Sequence, residues 1–178
     1  MFSNSAQLRK RTPENGIDRP NFLSLLVDEY LNSNSLEARS QVLANLANFA
    51  YDPINYVFIR DTGVLDIFLY VLKKETNETL LHFAVAGICN LCIDPLNAEY
   101  ILQHSTLKPI ISQLKSNNSD IVADTITTLI YLFCDATKDE ITVPEIIKQL
   151  SDLKMSRNEQ VSNLATIFLE DLPQTSNC

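Results

Sequence analysis

Glycine is scarce in this chain: Gly16, Gly63 and Gly87 are the only three, and no two lie near each other. A loop that cradles phosphate by close backbone approach needs several glycines in a short span, so dinucleotide and Walker-type sites are excluded. Tryptophan is absent and histidine numbers two. That leaves little for metal ligation or general-base chemistry, and His82 and His104 stand alone in the sequence. Long apolar runs are missing too. The longest nearly apolar stretch, Leu80 to Ile93, contains His82 and Asn90 and is too short to span a bilayer, so it reads as a buried helix. Basic charge is in short supply. The 178 residues hold 14 Lys+Arg against 22 Asp+Glu, a formal net charge of −8, which makes a poor phosphate-gripping surface.

What is present is globular. Apolar residues make up 46% and charged residues 20%, the composition of one packed domain. The opening MFSNSAQLRKR is polar and basic, with no apolar core of a secretory signal, so a reduced compartment is expected for Cys89, Cys92, Cys134 and Cys178. Cys89 and Cys92 form a C-x-x-C inside a helical run, without a second pair or a histidine at ligand spacing. They read as core thiols, not as a zinc or redox site. No serine or cysteine has a recognisable base or oxyanion partner. An enzyme is therefore not expected, nor is a cofactor, a metal, a small-molecule substrate or a membrane contact.

Residues 1–20 carry Arg9, Lys10, Arg11 and Arg19 with two prolines and a glycine, and read as a flexible basic arm. Beyond it the apolar spacing is helical. Leu23, Leu26, Val27, Tyr30 and Leu31 share one face, and Val42, Leu43, Leu46, Phe49 and Ala50 share another. Stops are explicit. Tyr51-Asp52-Pro53 ends one helix and starts the next, with Asp52 as cap and Pro53 in the first turn, where its missing N–H costs nothing. Asp94-Pro95 repeats the device. Thr142 with Pro144, and Asn158, are expected to open the last helices, and Pro173 to close the final one. No stretch alternates with a period of two, so strands are not expected.

The chain matches itself at an offset of 42 residues. Ala44, Asn48, Asp52, Pro53, Asn55, Ile59 and Leu65 meet Ala86, Asn90, Asp94, Pro95, Asn97, Ile101 and Leu107. A third, shorter unit follows, with Ile110 to Leu114 meeting Ile146 to Leu150 at an offset of 36. A period near 40 built from short and longer helices predicts an all-α fold: a right-handed armadillo-type α-solenoid of about three repeats with an N-terminal capping helix. The expected division is a flexible basic arm over 1–20, the armadillo-repeat domain over 21–173 and a short tail over 174–178.

Three strings carry a closer resemblance: QVLANLANFAYDP from Gln41 to Pro53, ICNLCID from Ile88 to Asp94, and NLATIFLEDL from Asn163 to Leu172. Together they are similar to the armadillo repeat-containing protein 7 family, over about Asn21 to Leu172, with the third repeat diverging around Asp135 to Thr142. The resemblance implies a non-enzymatic protein-binding scaffold in the nucleus. Its implied partner carries an RNA-recognition motif, of the RNA-binding motif protein 48 type, among other proteins of the minor spliceosome. RNA would be met mainly through that partner, in pre-mRNA splicing. The alternative is a general armadillo adaptor or peptide carrier in the cytoplasm.

Armadillo proteins place an asparagine on the concave face near the end of the third helix of each unit. Asn48 and Asn90 occupy that position, and Asn45, Phe83 and Gly87 share their helix faces, so these five are the expected partner-binding residues. The line continues as Gln41, Ala44 and Ala86, then Thr125, Thr128 and Leu132. The stacking tryptophans of nuclear-import receptors are replaced by Ala44, Ala86 and Thr128, which argues against a carrier of basic peptides. A second role stays open for Asn48 and Asn90, bracing the turn to the next helix. Gly87 costs about 1 kcal/mol of helix stability against alanine, so either a partner or a packed helix approaches it closely.

Overall fold

A computed structural model describes residues 2–3 and 16–172. The arm residues Arg9, Lys10 and Arg11, the stop expected at Pro173 and the tail over 174–178 lie outside the described residues. Among those described there are helices and turns and no strand. The helices are α1 (Arg19–Asn32), α2 (Leu36–Ala50), α3 (Tyr56–Asp61), α4 (Val64–Lys74), α5 (Glu78–Leu91), α6 (Pro95–Gln103), α7 (Leu107–Ser112), α8 (Ser119–Leu132), α9 (Lys138–Ile141), α10 (Pro144–Leu153) and α11 (Glu159–Asp171). Single 3-10 turns lie at Pro53–Asn55 and Gln113–Lys115.

Helix starts follow local capping chemistry. Asp18, Ser35, Asn77, Asn118 and Asn158 each accept a backbone N–H from the first turn of the following helix, satisfying a donor that has no intrahelical partner. Thr142 does not join them. The helix begun by Pro144 has Val143 at its cap with no side-chain bond, and the Thr142 hydroxyl donates back to the Lys138 carbonyl at 2.7 Å. A threonine that closes one short helix is thereby unavailable to open the next.

By compactness the chain falls into two units, Met1–Glu99 and Tyr100–Cys178, with the division inside α6. In the first unit α2 packs on α5, α5 on α4, and α1 on α2 and α3. Leu23, Leu43, Leu46, Ile59, Phe68, Leu80, Ile88 and Leu91 are almost fully enclosed there. Each such side chain contributes about 1.5–3 kcal/mol by leaving water, so stacking supplies what no single helix pair could. In the second unit α8 and α10 pack on α11, around Ile121, Ile126, Leu129, Leu150, Val161 and Phe168.

The two Asp-Pro turns are built alike. Asn55 Nδ2 donates to the Phe49 carbonyl at 2.8 Å, and Asn97 Nδ2 to the Leu91 carbonyl at 3.2 Å. In both, the asparagine reaches six residues back to a carbonyl at the end of the preceding helix, which also accepts the N–H of the turn's aspartate, at 3.3 Å from Asp52 and 3.1 Å from Asp94. The aspartate caps the new turn: Asp52 accepts from the Ile54 amide at 3.5 Å and Asp94 from the Asn97 amide at 3.1 Å.

Candidate partner-binding face

The expected site residues sit on α2 and α5, which pack together, so the fold brings the two sets to one helix pair. Their environments differ. Asn48 is exposed, and its side-chain amide has no hydrogen-bond partner among the described residues. Asn45 is half-buried and its Oδ1 accepts from Gln41 Nε2 at 3.3 Å. Phe83 is half-buried, its ring 5.1 Å from that of His82 at a steep angle. Asn90 is half-buried, and its Nδ2 donates across to the Ala47 carbonyl on α2 at 3.2 Å. Its own carbonyl accepts from the Tyr56 hydroxyl at 2.9 Å. Asn90 thus ties α5 to α2, while its amide oxygen takes no bond from the described residues.

Gly87 is buried, and the reason lies in the adjacent helix. A Cβ added there would stand 2.4 Å from Cζ of Phe68. The tip of the fully enclosed Phe68 ring of α4 stands where a Cβ at 87 would be, and any side chain there would occupy its space. This is the packed-helix alternative.

In the second unit the line changes character. Thr125, Thr128 and Leu132, expected to extend the face, are buried. The Thr125 and Thr128 hydroxyls donate to the Ile121 and Asp124 carbonyls at 2.6 and 2.7 Å, one turn back on α8. A threonine can hide its hydroxyl against its own helix in this way.

The polar clusters beside this face serve structure. Arg39 donates to the Tyr30 hydroxyl and to Glu75, both at 2.5 Å, with its guanidinium over the Tyr30 ring. Burial raises the Tyr30 hydroxyl pKa, with the Arg39 hydrogen bond opposing, and the bond to Glu75 raises that of Arg39. The group staples α1, α2 and the end of α4. Cys92 is buried and its thiol contacts the Cys89 carbonyl at 3.1 Å. Among the described residues no group of three or more His, Cys, Asp or Glu could hold a metal ion, and no helix is long and apolar enough to cross a membrane.

The chain is 44% identical to armadillo repeat-containing protein 7 of Mus musculus over 168 residues, 93% of this chain and 83% of that protein. It belongs to the armadillo repeat-containing protein 7 family. No family model matches it. Among solved structures, a computationally designed armadillo repeat protein for modular peptide recognition superposes with a TM-score of 0.72 at 20% identity, over 83% of this chain and 63% of that one. A designed armadillo repeat protein in complex with the peptide (KR)4 gives 0.70 at 19% identity, over 83% and 63%. The chain thus spans a little under two thirds of the length of these solved proteins, and likeness at this identity establishes the fold. An all-helical armadillo-repeat scaffold is what this member of the family presents.

Proposed function

We propose that the chain is a non-catalytic, protein-binding scaffold that partners an RNA-recognition-motif protein, of the RNA-binding motif protein 48 type, in pre-mRNA splicing by the minor spliceosome. On this reading it works in the nucleus, and RNA is met mainly through the partner. The observation that carries the binding role is the open amide chemistry of α2 and α5. Asn48 offers a donor and an acceptor, and Asn90 an acceptor, on a helix pair already fixed by core packing, so little ordering cost attends their use. Family membership supports the partner class. The net charge of −8 supports leaving RNA affinity to a basic partner.

A general armadillo adaptor or peptide carrier in the cytoplasm is the second reading, favoured by the designed relative solved with (KR)4. Against it, Ala44 and Ala86 stand one turn before the asparagines and offer no aromatic platform for basic side chains. Affinity purification of the tagged chain, followed by mass spectrometry and RNA sequencing, separates the two. The expected yield is splicing proteins with a small nuclear RNA, depleted when the bait carries Asn48→Ala. Recovery of proteins with basic motifs and no small nuclear RNA would favour the carrier.

A further inference from the structure

The second Asp-Pro turn contains a finished arginine clamp. Arg60 Nη1, reaching from α3, lies 3.0 Å from Asp94 Oδ1 and 2.9 Å from Asn97 Oδ1, bridging carboxylate and amide. Asn97 is fully buried, and both ends of its amide are used. The first turn has the same two side chains at the same spacing, Asp52 and Asn55. Asn55 is 3% exposed, and its Nδ2 holds the carbonyl six residues back, as that of Asn97 does. That shared bond fixes the amide's orientation relative to the turn, so Oδ1 faces the side on which Arg60 sits in the second copy. Yet Asn55 Oδ1 is buried and has no hydrogen-bond partner among the described residues. An orphaned buried acceptor is costly to keep, and here its repeat-mate shows what completes it.

We infer that Asp52 and Asn55 form a receptor for an arginine side chain of a partner protein, on the Asp-Pro edge and apart from the α2–α5 face. In the second copy one nitrogen, Nη1, spends both its hydrogens on the carboxylate and amide oxygens. A guanidinium is preferred over an ammonium there because it is more weakly hydrated, so it loses less on leaving water for a mostly buried place. The rim suits an arginine flanked by apolar residues, since Tyr51 and Val57 are exposed beside it. At present the chain's own start occupies the Asp52 carboxylate and leaves Asn55 Oδ1 unbonded. The Ser3 N–H donates to Asp52 Oδ2 at 3.0 Å, and the Phe2 ring lies 5.6 Å from that of Tyr51. A neutral amide is the weaker donor, so a partner's arginine displaces it. Arg19 contributes positive charge to Asp52, but its guanidinium rests over the Phe49 ring, 4.6 Å from the centroid.

The test uses the full chain labelled with nitrogen-15 and follows the Asn55 side-chain amide while N-acetyl-arginine amide is added, with N-acetyl-lysine amide as comparison. A saturable shift with arginine is expected, roughly tenfold weaker with lysine. Removing Phe2 and Ser3 should lower the arginine concentration needed. Asp52→Asn, which keeps a competent cap, should abolish the shift. The Asn97 amide, already clamped, reports that the fold is intact. No saturable shift, an equal response to lysine, or a response surviving Asp52→Asn would overturn the proposal. So would a displaced Asn55 resonance in ligand-free Arg19→Lys, which would mean that the chain's own arginine fills the site.

Discussion

At the scale of single residues, Gly87 shows a packing demand outweighing local preference. Alanine is the better helix former by about 1 kcal/mol, so an exposed helix interior would gain from the exchange. Here the new methyl would meet the Phe68 ring at 2.4 Å. Forcing an extra carbon into a close-packed core costs about 1–3 kcal/mol. Gly87→Ala should therefore lower the melting temperature by several degrees, and adding Phe68→Leu should recover part of the loss, because the two sites share one space. Thermal unfolding of the single and double variants checks this, and a Gly87→Ala protein as stable as the parent would show that the ring yields. Asp52 makes a separate demand, on pH. Burial works to raise its carboxyl pKa, but the Ser3 hydroxyl and amide, the Ile54 amide and Arg19 outweigh it and hold the group below its usual value. A carboxyl depressed in the folded state stabilises it fully above the unfolded value, near ~3.9, and loses that contribution as pH falls through the folded value. The stability gap between the parent and Asp52→Asn should thus be flat around neutrality and close below about pH 4, as followed by denaturant unfolding.

At the scale of elements, the turns at Asp52-Pro53 and Asp94-Pro95 were legible because their chemistry is local. A cap aspartate and a proline in the first turn sit within four residues of what they organise. The match at an offset of 42 also marked Asn55 and Asn97 as equivalent. Arg60 was not legible, since it meets Asp94 and Asn97 across 34 and 37 residues, and no spacing rule encodes a long side chain crossing between helices. The same limit hid the Phe68 ring above Gly87 and the bond from Asn90 to Ala47. Thr125, Thr128 and Leu132 were placed on an open face by register alone, and burial overrode the register. The two turns also differ in strength. Asn97→Ala strips two bonds, leaving the Leu91 carbonyl only its bond from the Asp94 N–H and Arg60 half-satisfied, a cost of about 1–3 kcal/mol for the buried groups left short of a partner. Asn55→Ala strips one bond and removes an orphaned acceptor with it. Asn97→Ala should accordingly be the more destabilising, by roughly 1 kcal/mol or more in chemical unfolding. Equal losses would mean that the Arg60 bridge contributes nothing net.

At the scale of the whole molecule, charge decides what the chain can hold unaided. Of its 14 basic residues four lie in the first 20 positions, leaving 10 against 20 acidic residues in the repeats. Affinity for RNA comes largely from cations that release counterions on meeting phosphate, and it falls steeply with salt. A repeat array with twice as many acidic as basic residues opposes that gain over any surface broader than a few side chains, and screening over about 8 Å at physiological ionic strength softens the repulsion without reversing it. The purified chain should therefore bind a bare small nuclear RNA more weakly than about 10 µM at physiological salt, toward the weak end of ordinary non-specific association. Any residual binding should trace to the arm and vanish when Arg9, Lys10 and Arg11 are replaced by glutamine, with the melting temperature unchanged. On the function proposed above, an RNA-recognition-motif protein of the RNA-binding motif protein 48 type, added at equimolar amount, should restore tight and sequence-selective binding that neither the arm variant nor moderate salt abolishes. Fluorescence anisotropy across a salt series distinguishes the cases. Tight binding by the isolated chain, with a shallow salt dependence, would mean that the repeats themselves read RNA through aromatic or amide contacts, and the division of labour between acidic scaffold and basic partner would fall.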